Sequence, residues 1–225
     1  MRLLPVVCIL VLGCSASAPE LADDRSGDRE LVHPASVHTR DSGIDVLSSS
    51  QPPRRQVKKR SPIALADVTA DTGIEFCHTD GSSGARYIME TVASGVATFD
   101  YDQDGLIDIY FLNGAPLRGA DPTKHPKNRL YRNLGEFRFI DVTEQAGVGD
   151  EGYALAVAVG DYDADGFPDI YLSNFGPNVM YRNNGDGTFT DVTRQTGTAA
   201  GGVSKVGAGT SFLDADGNGD LDLFV

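Results

Sequence analysis

One acidic pattern, Asp-x-Asp-x-Asp/Asn-Gly-x-x-Asp, occurs three times in this chain, at residues 100–108, 161–169 and 214–222. Each copy puts oxygen-bearing side chains at loop positions 1, 3, 5 and 9. Glycine stands at position 6, where a chain wrapped around an ion must turn sharply. Carboxylates held about 5 Å apart repel by roughly 3 kcal/mol per pair at an effective dielectric near 20, before salt screening. A folded loop of this kind therefore calls for a cation. Oxygen-only donors favour a hard ion, and several carboxylates with a backbone carbonyl at position 7 suit calcium better than water-retaining, octahedral magnesium. The expected ligands are Asp100, Asp102, Asp104, the Leu106 carbonyl and Asp108 in the first loop. In the second they are Asp161, Asp163, Asp165, the Phe167 carbonyl and Asp169, and in the third Asp214, Asp216, Asn218, Asp220 and Asp222. A solvated acidic turn is the plainer reading of any one loop, but three copies in register argue against it. About three Ca2+ sites are expected.

These loops do not fit an EF-hand, which needs a bidentate Glu at position 12 and a helix on either side. Position 12 is Phe111, Leu172 and Val225. The flanks are instead short apolar runs: Gly95-Val-Ala-Thr-Phe99 and Ile107-Asp-Ile-Tyr-Phe-Leu112, then Ala156-Val-Ala-Val159 and Ile170-Tyr-Leu172, then Phe212-Leu213 and Leu221 to Val225. Runs of this length, rich in Val, Ile, Tyr and Phe and bounded by Gly, Asn and Asp, read as strands.

A second unit recurs between the loops. Asn128-Arg-Leu-Tyr-Arg-Asn133 with Phe139-Ile-Asp-Val-Thr143 is followed, at an offset of 50 residues, by Asn178-Val-Met-Tyr-Arg-Asn183 with Phe189-Thr-Asp-Val-Thr193. Asn184-Gly185 and Asp186-Gly187 punctuate the second copy as a hairpin. The fold class expected is all-β. Four strands per unit, at loop spacings of 61 and then 53 residues, match the blades of a β-propeller. An insertion at residues 113–127 accounts for the longer first spacing. Leu65-Ala-Asp-Val-Thr69 and Gly73 echo Asp141-Val-Thr143 and Gly147, which suggests an outer strand ahead of the first blade. The Tyr131-Arg132 and Tyr181-Arg182 pairs read as blade packing with an Arg tied to a nearby acid, and Tyr110 and Tyr171 as inter-blade core.

Gly95-Val-Ala-Thr-Phe-Asp-Tyr-Asp-Gln-Asp-Gly105, Asn183-Asn-Gly-Asp-Gly-Thr-Phe-Thr-Asp-Val-Thr193 and the Gly114-Ala-Pro116 tripeptide resemble FG-GAP/VCBS repeats. The lead-in residues Asp67-Val-Thr, Gly73-Ile-Glu-Phe, His78 and Gly81 extend the likeness to the ASPIC/UnbV group of secreted bacterial propellers, over roughly residues 63–225. The resemblance implies a seven-bladed, integrin-α-like propeller with calcium loops on one rim, a role in extracellular recognition or adhesion, and a C-terminal module. About three units are expected here, fewer than the roughly four to eight that close a ring, so the chain reads as a partial propeller: either it is a fragment of a longer protein or something else supplies the rest.

The expected layout is a leader at 1–14, a disordered tether at 15–61, a lead-in at 62–90, blades at 91–150 and 151–200, and an incomplete blade at 201–225. Leu3 to Leu12 is apolar but too short to span a bilayer, and so reads as a signal peptide. Val11-Leu-Gly-Cys14 resembles a lipobox, which makes Cys14 the expected lipidation site and an acyl chain the expected membrane anchor in the bacterial cell envelope. Cleavage after Ala18, giving free secretion, is the alternative. The polar stretch from Ser15 to Ser61 lacks any sustained period and reads as a tether; its basic cluster, Arg54-Arg55 and Lys58-Lys-Arg60, is a solvated charge run. Only Cys77 remains in the folded part, read as a half-buried strand residue without a disulfide partner.

With 32 acidic against 19 basic residues the formal net charge is -13, which makes nucleic acid an unsuitable partner. Three calcium ions would bring it to about -7. The function expected is a calcium-binding recognition scaffold for an unidentified protein or glycan, and not an enzyme. The rival is a propeller lyase or hydrolase, for which His78, Asp80 and Glu90 are the local candidates; their plainer role is to tie down a loop. A thrombospondin-like stalk is disfavoured because some 44 strand-like residues separate the second loop from the third.

Overall fold

The computed structural model describes residues 66–92, 95–121, 123–199, 207 and 209–225. The expected leader, the expected lipidation site Cys14 and the expected tether lie outside them. The described chain is nearly all β. Strands β1 (Val96–Phe99), β2 (Asp108–Phe111), β3 (Arg129–Asn133) and β4 (Phe139–Asp141) make one antiparallel sheet in chain order. Strands β5 (Tyr153–Gly160), β6 (Asp169–Phe175), β7 (Val179–Asn183) and β8 (Phe189–Asp191) make a second of the same order. The hairpin of β9 (Ser211–Leu213) and β10 (Asp222–Phe224) begins a third. These are two four-stranded propeller blades and the first two strands of another.

Each acidic loop is the connection between the first two strands of its sheet. Phe99 pairs with Asp108, Gly160 with Asp169, and Leu213 with Asp222. Position 9 of every loop is thus the first residue of a strand, which anchors its carboxylate at the mouth of the hairpin.

The sheets are held by face-to-face burial between consecutive blades. Ile74 and Phe76 of the lead-in pack on Ile109, Phe111, Tyr131 and Phe139, with Phe76 stacked on Phe111 at 4.7 Å between ring centroids. The opposite face of that blade, Tyr110, Leu112, Leu130 and Val142, packs on Ile170, Leu172, Tyr181 and Phe189. The far face of the second blade, Tyr171, Met180 and Val192, receives Phe212 and Leu223. Period-2 alternation along each strand feeds both faces. Leu130, Ile170 and Leu172 are fully buried, each contributing about 1.5–3 kcal/mol of transfer free energy. Tyr110 and Tyr171 are core as expected, and their hydroxyls donate to Val148 O (2.7 Å) and Thr198 O (3.3 Å).

Three expectations are corrected. The Val-Thr residues after the fourth strands leave the sheet: helix α1 (Thr143–Ala146) follows β4 and α2 (Thr193–Thr196) follows β8. Asp141 Oδ1 accepts from Thr143 N and Asp191 Oδ1 from Thr193 N, at 2.9 Å in both, which diverts the backbone from the ladder into a turn. The described part of the lead-in forms no outer strand: 66–68 are irregular and Thr69–Asp71 is a 3-10 turn. The echo of Asp141-Val-Thr143 there was an echo of the turn, with Asp67 Oδ1 accepting from Thr69 N. Cys77 is exposed and lies in irregular backbone, not half-buried in a strand.

Candidate metal centre

The first carboxylate of each loop shapes it. Asp100 accepts from Asp104 N (3.1 Å) and Gly105 N (2.9 Å), and Asp161 from Asp165 N (3.0 Å) and Gly166 N (2.8 Å). Asp214 repeats this with Asn218 N and Gly219 N, both at 3.1 Å. These bonds curl the backbone so that later side chains face the first. Glycine at position 6 is required, since Gly105, Gly166 and Gly219 have φ of 86°, 95° and 95°. Position 4 is also left-handed, at Gln103 (58°), Ala164 (56°) and Gly217 (75°), a demand the sequence pattern did not announce because two of these residues carry a Cβ.

The curled loops bring together Asp100, Asp102 and Asp108; Asp161, Asp163 and Asp169; and Asp214, Asp216 and Asp222, with one carboxylate oxygen from each residue within 4.8 Å of the others in its trio. Positions 1, 3 and 9 therefore converge as expected. Asp104 and Asp165 at position 5 do not belong to the trios; they and Asn218 each turn Oδ1 to the position-7 N–H of Leu106 (2.9 Å), Phe167 (2.9 Å) and Asp220 (2.7 Å). Those bonds orient the peptides that join positions 6 and 7, just ahead of the position-7 carbonyls expected to bind the ion.

Position 9 is the most constrained. Asp108 and Asp169 are fully buried. Asp108 accepts from Tyr101 N (3.1 Å) and Asn133 N (2.7 Å), and Asp169 from Tyr162 N (3.0 Å) and Asn183 N (2.8 Å). Burial, with smaller contributions from the neighbouring aspartates, outweighs these hydrogen bonds and pushes both carboxyls up to about 6. Asp222 is exposed and accepts from Ala215 N at 2.9 Å.

In the first loop Asp102 Oδ1 is shielded from solvent and has no hydrogen-bond partner among the described residues. An orphaned anionic oxygen beside two further carboxylates is what a bound cation would satisfy, so these residues fit a hard divalent ion. Asp102 Oδ2 lies 2.7 Å from Arg132 Nε. That approach is an ion pair without hydrogen-bond alignment, whereas Arg132 Nη2 donates to Asp104 Oδ2 at 3.1 Å. The expected tie between Arg132 and an acid is therefore present, and the acids are those of the loop itself.

Away from the loops, Asp80 Oδ1 accepts from Ser82 N (2.9 Å) and Glu90 Oε1 from Ser83 N (3.5 Å), so both tie down the lead-in. His78 Nε2 is buried without a partner among the described residues, and burial lowers its pKa against the opposing charge of Asp80. Asn133 and Asn183, which close the strand end over position 9, were missed as site residues although Tyr-Arg-Asn recurs at the 50-residue offset.

The FG-GAP-like repeat family matches residues 100–172 and 161–225, and each match spans two consecutive acidic loops with the strands between them. No curated protein matches the sequence. The two matches together cover more than half of the chain, and with the blades described above they identify it as a member of the FG-GAP-like repeat family.

Proposed function

We propose that this protein is a calcium-stiffened propeller that works outside the cytoplasm as a recognition or adhesion scaffold for a protein or glycan. The observation that carries the reading is the orphaned, buried Asp102 Oδ1 within a carboxylate trio that recurs in the next two blades. Bound calcium would neutralise the mutual repulsion of each trio and clamp the first hairpin of each blade. Position 9 would contribute a carboxylate already fixed by two backbone N–H groups in the first two loops. The adjacent loops would then be presented as a stiff rim, and stiffness lowers the ordering cost of binding a partner.

Placement outside the cytoplasm rests on the leader-like residues 1–14, with acylation at Cys14 as the proposed anchor. The proposed kinship with the ASPIC/UnbV group rests on the lead-in motif from Asp67 to Gly81. Nucleic acid is disfavoured by the net charge of -13.

The test is calorimetry and thermal unfolding with and without calcium. Affinities of about 0.1–1 mM, as in extracellular modules, would give about 1.4–2.7 kcal/mol of stabilisation per loop at about 10 mM calcium. An unchanged midpoint in excess calcium would refute the metal role. Calcium-dependent retention on a glycan or protein panel, without product release, is the expected binding result; turnover of a polysaccharide would replace the scaffold reading with an enzymatic one.

A further inference from the structure

The first and second loops touch through two side chains that are not among the expected ligands. Gln103, at position 4 of the first loop, donates from Nε2 to the carbonyl of Gly166, at position 6 of the second. Asn183, fully buried, reaches the opposite way. Its Nδ2 donates to Tyr101 O at 2.8 Å, while its backbone N–H donates to Asp169 Oδ1 at 2.8 Å. Tyr101 N in turn donates to Asp108 Oδ2 at 3.1 Å. One continuous path thus joins the position-9 carboxylates of neighbouring blades: Asp108, the backbone of Tyr101, Asn183, Asp169. The Tyr101 carbonyl belongs to the same planar peptide as Asp102 N, so Asn183 also sets the start of the position-3 residue.

From this geometry we propose that calcium binding at the first and second loops is positively coupled, with Asn183 and Gln103 as the coupling residues. The proposal rests on the calcium reading above. An ion in either loop orders the exposed turn at positions 3 to 6 around the position-9 carboxylate that the backbone already fixes, and Gln103 and Asn183 carry that order to the other loop. The second ion then meets a loop whose ordering cost has already been met. Gln103 adds a direct clamp on the turn that carries Gly166, whose N–H holds Asp161. The clamp is specific to this pair of loops, because the residue equivalent to Gln103 in the second loop is Ala164, which has no donor side chain to offer the third.

The test is calcium calorimetry on the full chain with the third loop silenced by Asp216→Asn. In this background Asp163→Asn should weaken calcium at the first loop by roughly five-fold or more, and Asp102→Asn should weaken the second by the same factor, because coupling is reciprocal. Gln103→Ala is tolerated by the backbone, since Ala164 already holds the same left-handed conformation. It should lower that factor, read as the ratio of each loop's calcium affinity with its neighbour intact to that with its neighbour silenced, both in the Gln103→Ala protein. Asn183→Asp, which keeps the backbone donor but loses the Nδ2 contact, is the second variant and should act in the same direction. Calcium binding at both loops with no mutual effect overturns the coupling alone. Full coupling in both Gln103→Ala and Asn183→Asp overturns the assignment to these residues. No calcium binding at any loop overturns the coupling together with the reading beneath it.

Discussion

Arg132 places Nε 2.7 Å from Asp102 Oδ2 and Nη2 3.1 Å from Asp104 Oδ2, so a guanidinium is held against the carboxylates of the first loop. Its counterpart fifty residues later, Arg182, is exposed and makes no ion pair with the second loop among the described residues. The two loops share a sequence pattern but differ in their electrostatic neighbours.

Arg132→Ala should therefore have opposite effects in the two metal states. Without calcium it removes a half-exposed ion pair and should cost about 0.2–1 kcal/mol. With calcium it removes a competing positive charge and should tighten the first loop, on the order of three- to ten-fold where water screens the half-exposed guanidinium. Thermal midpoints in the presence and absence of calcium would show the change of sign. Arg182→Ala should be nearly neutral in both.

The separation of position 3 from position 5 makes a sharper test of the ligand set. Asp102 belongs to the first trio and Asp104 does not. Asp102→Asn should weaken calcium at that loop by on the order of ten-fold or more, and Asp104→Asn by less, because an amide oxygen can still accept from Leu106 N. Calorimetry that found the two variants equal would return Asp104 to the ligand set on the same footing as Asp102.

The pH dependence should also invert with metal. Asp108 and Asp169 are pushed up to about 6 from an ordinary 3.8, chiefly by burial. In the calcium-free protein the folded state holds protons there that the unfolded chain has already released. The resulting stability is fully present below about pH 4 and is lost as pH rises through about 6. Calcium bound as proposed would compete with those same protons, so its stabilising effect should grow as pH rises through about 6. Unfolding midpoints of dialysed and calcium-loaded protein between about pH 5 and 7.5 should diverge; parallel curves would count against the assignment.

The lead-in is docked by close contacts that single substitutions can break. Tyr153 Oη lies 2.7 Å from Asp80 O and 2.8 Å from Met89 O, and the residue is 3% exposed. Tyr153→Phe should destabilise by about 1–3 kcal/mol by leaving a buried carbonyl unsatisfied. Gly81 has φ of 63°, and a Cβ there would run into the Ala115 carbonyl oxygen, so Gly81→Ala should be more damaging than Tyr153→Phe. Chemical denaturation would rank them.

Much of the fold was legible because its repeats are local. Strand, acidic loop, strand, strand, hairpin, strand could be read from alternation and turn residues within some fifty positions. The illegible parts were those where a short side chain redirects the backbone. Asp141 and Asp191 turn Val-Thr away from a strand and into α1 and α2, although Val and Thr favour strands by propensity. The same capture by Asp67 explains why the lead-in echoed a blade without forming its strand.

By itself the sequence determined the family, the blade pattern and the aspartates of the three loops, because periodicity, turn chemistry and the spacing of acidic residues are written along the chain. Only the tertiary structure decided which aspartates converge, that Arg132 enters the first loop, and that Asn183 and Gln103 join two loops across a blade interface. The convergence turns on how each nine-residue loop curls, which the spacing alone does not state; the other contacts join residues 28 to 82 positions apart, and no local pattern encodes where one sheet settles on the next.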